Sequence, residues 1–226
     1  MKKGFLFVIS FFAIANFITA QPTNASLLKE VEKKLSSGTS ISQILTEKKY
    51  ENLHPDTDFR KLVESHCKAD VISIAGDTIP GKRIRVIGFL KDLSGQPIAD
   101  ALVYLYQTDS RGWYAADAPH VQMNEGDMRH ARLFGYVKTN KEGRFELHTI
   151  KPSGYPQSDL PAHIHIHFTK PGYRNYITEL LFDDDPRLIG KIRENAISQK
   201  FIITKPVKDV KPYEQLFNYT LVMQKL

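Results

Sequence analysis

The sequence predicts an all-β protein, a β-sandwich preceded by a helical extension. Three observations predict it. From Asp70 onward, short runs of alternating apolar and polar residues recur, the pattern of half-buried strands. Turn-forming pairs such as Ser94-Gly95 and Glu142-Gly143 separate these runs at roughly 8–12 residues, the spacing of a sandwich. Helical segments do not alternate with the strands, which argues against a doubly wound α/β fold.

The chain has 226 residues and opens MKKGFLFVISFFAIANFITA. Lys2 and Lys3 precede an apolar stretch from Gly4 to Phe17, followed by small residues at Thr19-Ala20. That is the pattern of a secretory signal peptide, and the stretch is short for a membrane span of about 20 residues. The expected organisation is a signal peptide at 1–20, a helical extension at 21–69 and a β-sandwich domain at 70–226, with the mature chain exported to a periplasmic or extracellular location. Removing Lys2 and Lys3 lowers the net charge from +6 to +4. The remaining bases are interspersed with acids, as in KEVEKK, so no nucleic-acid-binding stripe is expected, nor any membrane association after signal removal. Cys67 is the single cysteine, so no intramolecular disulfide is available and the fold rests on its core.

In the extension, Leu27, Leu28, Val31 and Leu35 fall at helix spacing, with Asn24 or Ser26 as the cap. Ser36-Ser37-Gly38 interrupts, Ile41, Ile44 and Leu45 form a second amphipathic piece, and Phe59 to Cys67 gives one or two further helical turns. These arms pack on the main domain or on a second copy of the chain, which makes a homodimer an expectation. In the sandwich, Ile84, Val86 and Gly88 share one face of a strand. Ala101 to Tyr106 forms the next, and Asp109 to Gly112 is a turn that delivers Trp113 and Tyr114. Ala115 to Arg129 reads as a long loop, a feature commonly functional. Strand character resumes at Phe134 to Lys138 and Arg144 to Ile150. Tyr173 to Phe182 holds a strand pair at most, Arg187 to Ser198 a short helix, and Phe201 to Thr204 and Phe217 to Met223 close the sheets.

The stretch that carries chemistry is PSGYPQSDLPAHIHIHF, Pro152 to Phe168. His163, His165 and His167 alternate with Ile164, Ile166 and Phe168, so the imidazoles share one strand face and the apolar side chains the other. His163 and His165 then stand roughly 6.6 Å apart along the strand, close enough to converge on one ion. Alone, an HxH strand is more often a solvated face. Tyr155 upstream and Tyr114 in GWY change the balance. Two phenolates with two imidazoles suit a hard, highly charged ion, Fe(III) rather than Zn(II). Taken separately, Tyr114 also reads as a packed aromatic and Tyr155 as a tyrosine corner. A zinc or copper site is the weaker metal reading. Asp183 to Asp185 lacks the ligand spacing of a calcium loop and reads as a solvated turn.

Three segments together, DLSGQPIADALVYLYQTDSRGWY, GYVKTNKEGRFELHTIKPSGYP and LPAHIHIHF, resemble the intradiol ring-cleavage dioxygenases over roughly Arg83 to Phe182. The resemblance implies a sandwich of that family's type. It implies a non-haem Fe(III) held by Tyr114, Tyr155, His163 and His165, with His167 beyond the ligand pair. It implies a catechol-type substrate and O₂ as co-substrate, with cleavage between the hydroxyl-bearing carbons to a muconate-type diacid. Tyr155 would leave the metal and help take a substrate proton. The family commonly has arginine where Leu160 stands, and tryptophan where Tyr106 stands. Arg129, Arg132 and Arg174 are the candidates to supply the missing charge to the substrate. The competing expectation, favoured by Leu160, is a transthyretin-like binding module that kept the scaffold and lost catalysis.

Overall fold

A computed structural model describes residues 23–115, 131–207 and 211–226. The proposed signal segment, most of the 115–129 loop and Arg129 lie outside the described residues. Before the sheets come α1 (Asn24–Ser36), α2 (Ile41–Thr46), a 3-10 turn (Lys48–Leu53) and α3 (Thr57–Ser65). The cap of α1 is Thr23, whose hydroxyl accepts from the Ser26 backbone N–H at 3.3 Å, rather than Asn24 or Ser26. A capping box formed by Ser40 and Gln43 starts α2.

The strands follow as β1 (Val71–Ser73), β2 (Arg83–Asp92), β3 (Leu102–Gln107), β4 (Leu133–Lys138), β5 (Arg144–Ile150), β6 (His163–Thr169) and β7 (Tyr176–Phe182). After α4 (Gly190–Ser198) come β8 (Ile202–Thr204), β9 (Pro206–Val207) and β10 (Gln215–Met223). Among the described residues they form two five-stranded sheets, in the orders β1-β5-β2-β10-β9 and β4-β3-β6-β7-β8. The segment expected to hold a strand pair is one strand, β7, because Lys170 to Asn175 is spent on the turn back from β6.

Alternation decides what each strand buries. In β2, Ile84, Val86, Gly88 and Leu90 are buried while Arg83, Arg85 and Ile87 are partly exposed. Phe217, Tyr219, Leu221 and Met223 do the same on β10, its parallel neighbour. Gly88 has a packing reason: a Cβ there would collide with the Phe145 ring. The inner faces of both sheets form one core, which continues into Leu27, Val31, Ile44, Tyr50, Leu53, Phe59 and Val63 of the helical extension.

Arg60 fastens that extension to the second sheet. It is buried, and its guanidinium donates to the carbonyls of His54 (2.7 Å) and Ala131 (2.8 Å) and to the Tyr104 hydroxyl (3.0 Å). It also lies over the Phe134 ring, 3.7 Å from its centroid. His54 stacks on Phe59, and its Nδ1–H donates to the Arg132 carbonyl at 2.6 Å. Burial pushes the His54 imidazole down to about 4 from an ordinary 6.5.

That shift has a defined sign. The unfolded chain takes a proton at His54 below about 6.5 and the folded chain does not until about 4, so acid favours unfolding in between. The stability tied to neutral His54 is complete above 6.5 and is lost as pH falls through that window. Urea unfolding at pH 7 and pH 4.5 is expected to show a drop in stability of which about 2–3 kcal/mol belongs to this group. In His54→Asn, whose amide keeps the donor to Arg132, that part disappears; an unchanged pH dependence refutes the assignment.

Candidate metal centre

Tyr114, Tyr155, His163 and His165 come together at one end of the β4-β3-β6-β7-β8 sheet. His163 and His165 project from the same face of β6, as alternation requires, and Ile164 and Ile166 anchor the other face in the core. Tyr114 and Tyr155 arrive on two loops that are fastened to each other. The Thr108 hydroxyl donates to the Ser153 carbonyl (2.7 Å), Ser153 N–H to the Asp109 carbonyl (3.1 Å) and the Ser153 hydroxyl to the Ser110 carbonyl (2.8 Å). Gly112, at φ +81°, rests against the Gly154 backbone so closely that a Cβ would strike the Gly154 carbonyl oxygen. Buried Asp109 shapes the Tyr114 loop by accepting from the backbone N–H groups of Arg111 (2.8 Å) and Trp113 (3.2 Å). Asp185 does a similar service for β6, accepting from Ala162 N–H at 2.8 Å. The Asp183–Asp185 turn is thus engaged rather than simply solvated. Asp183 pairs with Arg193 and Lys205, and Asp184 pairs with Lys151.

The four functional atoms form a closed ring. Tyr114 Oη lies 2.7 Å from Tyr155 Oη, which lies 3.1 Å from His163 Nε2. His163 Nε2 is 3.1 Å from His165 Nε2, which is 3.0 Å from Tyr114 Oη. Proton counting shows what such a ring lacks. The Nδ1–H of His163 is committed to the Pro161 carbonyl at 2.8 Å, leaving a lone pair on Nε2. His165 turns Nδ1 toward the Glu179 carboxylate at 3.7 Å, which favours the same tautomer. Two phenolic protons can therefore fill at most two of the four edges, and lone pairs face each other across the rest. A cation at the centre relieves that deficit. Neighbouring ligands each about 2.1 Å from one ion stand about 3 Å apart, the spacing of this ring.

Charge points the same way. Tyr114, 1% exposed, has its phenol pushed well above the ordinary range by burial and by the neighbouring Tyr155. Burial likewise raises Tyr155. His165 is held well below its ordinary value by burial and by His163 and His167, so it stays a neutral ligand. Without an ion the site prefers neutral phenols; a highly charged cation is what would turn them into phenolates. The donor set of two phenols and two imidazoles thus fits a hard, highly charged metal ion.

Two contributors escape a reading of the linear sequence. Glu179, the β7 residue paired in register with His165, joins His163 and His165 in a cluster whose ligand atoms all lie within 4.8 Å of one another. Its one signal is an acidic residue inside the otherwise uncharged run YITELLF. Tyr106 stacks on the His165 ring at 4.4 Å and fixes its plane; the sequence marks it only as a large core aromatic. His167 sits farther along the same face with its ring edge-on to Tyr104 and Tyr106.

A cavity of about 300 Å³ opens beside the ring, lined by Tyr155, His163, Glu179, Leu160, Leu181 and Phe201, with α4 along one side. Leu160 is 49% exposed there. Of the arginines expected to serve the substrate, Arg132 and Arg174 are not among the described residues that line it. Arg132 is drawn into ion pairs with Asp109 (3.0 Å) and Glu51 (2.7 Å), which tie the Tyr114 loop to the helical extension. Arg174 is exposed in the turn after β6, at the opposite end of that strand from His163. Arg129 lies outside the described residues.

Comparison with known proteins identifies the family and the fold. A family model described as Dioxygenase matches residues 57–224. The chain is 33% identical to chlorocatechol 1,2-dioxygenase of Rhodococcus opacus over 126 residues, 48% of this chain and 47% of that one. It is 27% identical to the intradiol ring-cleavage dioxygenase prcA of Aspergillus niger over 222 residues, 88% of this chain and 65% of that one. The chain thus spans about half to two thirds of the length of these relatives. Catechol 1,2-dioxygenase from Acinetobacter sp. ADP1 shares the fold, with a TM-score of 0.55 at 15% identity, covering 90% of this chain and 79% of that one.

The contact between the two tyrosine loops is open to direct test. Gly112→Ala places a Cβ against Gly154 at a positive φ, with an expected loss of about 2–4 kcal/mol in urea unfolding. Stability within about 0.5 kcal/mol of the parent would show that the loops are not held together there.

Proposed function

The chain belongs to the intradiol ring-cleavage dioxygenases, and on that premise we propose that it cleaves catechol-type diols between their hydroxyl-bearing carbons. The proposed cofactor is a non-haem Fe(III) held by Tyr114, Tyr155, His163 and His165, with O₂ as the second substrate and a muconate-type diacid as the product. The observation that carries this reading is the proton-poor ring of two phenol oxygens and two imidazole nitrogens at 2.7–3.1 Å.

Bound in that ring, ferric iron would supply the Lewis acidity and electron-accepting character that make a coordinated aromatic diol reactive toward O₂. The protein's share is positioning and proton handling. Three of the four proposed ligands differ in how firmly they are held. Tyr114 is enclosed and stapled through its loop, and His165 is stacked on Tyr106, so these are the fixed holders. Tyr155 forms part of the cavity wall and is half-buried. It is the group placed to exchange its position with an entering diol. Burial raises its phenol, so once free of a cation its oxygen takes up a proton readily, and a catechol hydroxyl is the adjacent source. The apolar walls at Leu160, Leu181 and Phe201 match an aromatic ring and exclude water from it.

A second reading rests on Leu160. It stands on the cavity wall, where the family commonly carries arginine, and leaves that part of the wall uncharged. A scaffold that binds aromatic diols without cleaving them is the corresponding function.

The two readings separate in one preparation. The chain produced under iron-replete conditions is expected to carry about one iron, to be coloured by tyrosinate-to-iron charge transfer, and to consume O₂ with catechol as substrate. A coloured protein without O₂ uptake supports the binding scaffold, and a colourless one without iron rejects the metal site. Variants then sort the ligands. His165→Ala is expected to lose most of its iron by metal analysis, and full occupancy refutes its assignment. Tyr155→Phe is expected to keep part of the iron and lose at least about tenfold in turnover, the scale of a lost proton-transfer partner. An unaltered rate removes Tyr155 from the mechanism.

A further inference from the structure

The cavity beside the ring has an uneven charge. Glu179 contributes a carboxylate to its wall, while the other lining residues, among them Leu160, Leu181, Ile192, Asn195, Gln199 and Phe201, are uncharged apart from the titratable Tyr155 and His163. No lysine or arginine lines it among the described residues. Of the described cations outside this wall, Lys200 is exposed between the lining residues Gln199 and Phe201. Arg132 is paired with Asp109 and Glu51. Arg187 reaches the Leu160 carbonyl at 3.2 Å but belongs to a different cavity, shared with Lys82 and Lys151. Among the described residues, Glu179 faces His165 Nδ1 at 3.7 Å, beyond hydrogen-bond reach, and His165 is neutral, so that contact does not offset the carboxylate.

We propose that Glu179 makes this cavity selective for catechols whose ring substituent is neutral or cationic, and against those that carry a carboxylate. The inference rests on the dioxygenase reading above and names the substrate class for it. A diol held at the ring by its two oxygens places its substituent against the surrounding wall. A carboxylated substituent meets a like charge there with no described cation on the wall itself to offset it, which raises the cost of entry. An ammonium on a short chain meets Glu179 as a partner, and the exposed amides of Asn195 on α4 and Gln199 at its C-cap serve as hydrogen-bonding groups for the chain. An alkyl substituent lies against Leu181, Ile192 and Phe201.

The test is binding in the absence of O₂, read from the shift of the visible charge-transfer band of the iron-loaded full chain. The probes are 4-methylcatechol, 4-(2-aminoethyl)catechol and 3,4-dihydroxybenzoate. The first two are expected to bind at least about tenfold more tightly than the third, the scale of an uncompensated like charge. In Glu179→Gln that ratio is expected to fall by about fivefold or more. Equal affinity for 4-methylcatechol and 3,4-dihydroxybenzoate in the parent overturns the inference, as does an unchanged ratio in Glu179→Gln. If that variant loses its iron, Asn195→Lys decides. A cation on the same wall is expected to tighten 3,4-dihydroxybenzoate by about fivefold, and no change overturns the inference. A chain that takes up no iron and shows no band overturns the dioxygenase reading itself, whereas a coloured chain that does not discriminate overturns this inference alone.

Discussion

Four lone-pair-bearing atoms, crowded into a ring with too few protons to share, set the terms for the rest of the molecule. Such a cluster is costly to bury unless something positive stands at its centre, and it forms only if the surrounding structure forces it. The forcing is visible. The Pro161 carbonyl orients His163 from behind, Tyr106 fixes the plane of His165 with Glu179 on its Nδ1 side, and Gly112 and Gly154 allow the two tyrosine loops to touch. Between them these contacts reach all four members of the ring, so the site is held on rigid supports.

The helical extension takes part in this support. Arg132 stands at the junction. Its backbone N–H donates to the Tyr114 carbonyl at 2.9 Å, its carbonyl accepts from His54, and its guanidinium joins Asp109 to Glu51. Arg60 adds a second fastening to the Ala131 carbonyl, next to Arg132. An arginine that looks available for an anionic substrate is thus a brace between the extension and the tyrosine loop. Its charge is already matched, which leaves the cavity with the carboxylate of Glu179 and an apolar wall at Leu160. The electrostatic character of the pocket follows from where the cations are used elsewhere.

Much of this was readable in the linear chain. Period-two alternation is a local property, so the strands at Arg83–Asp92, Arg144–Ile150 and His163–Thr169 could be drawn with their buried faces, and the shared face of His163 and His165 followed from the same rule. Tyr114 and Tyr155 were legible as candidates because each sits in a turn signature just beyond a strand. The ends of α1 and the single strand at Tyr176–Phe182 were less legible, since caps and turns depend on one or two residues.

By itself, then, the sequence determined the all-β class, the strand faces, and the four side chains that suit a hard metal ion. Tertiary structure alone decided that Glu179 stands behind His165, that Arg132 is consumed by Asp109 and Glu51, and that Arg174 ends up at the wrong end of β6 to serve the cavity. The physical reason is range. Alternation and turn chemistry act between neighbours along the chain, whereas strand register, ion pairing across 81 residues and the walls of a cavity depend on which distant segments the core brings together.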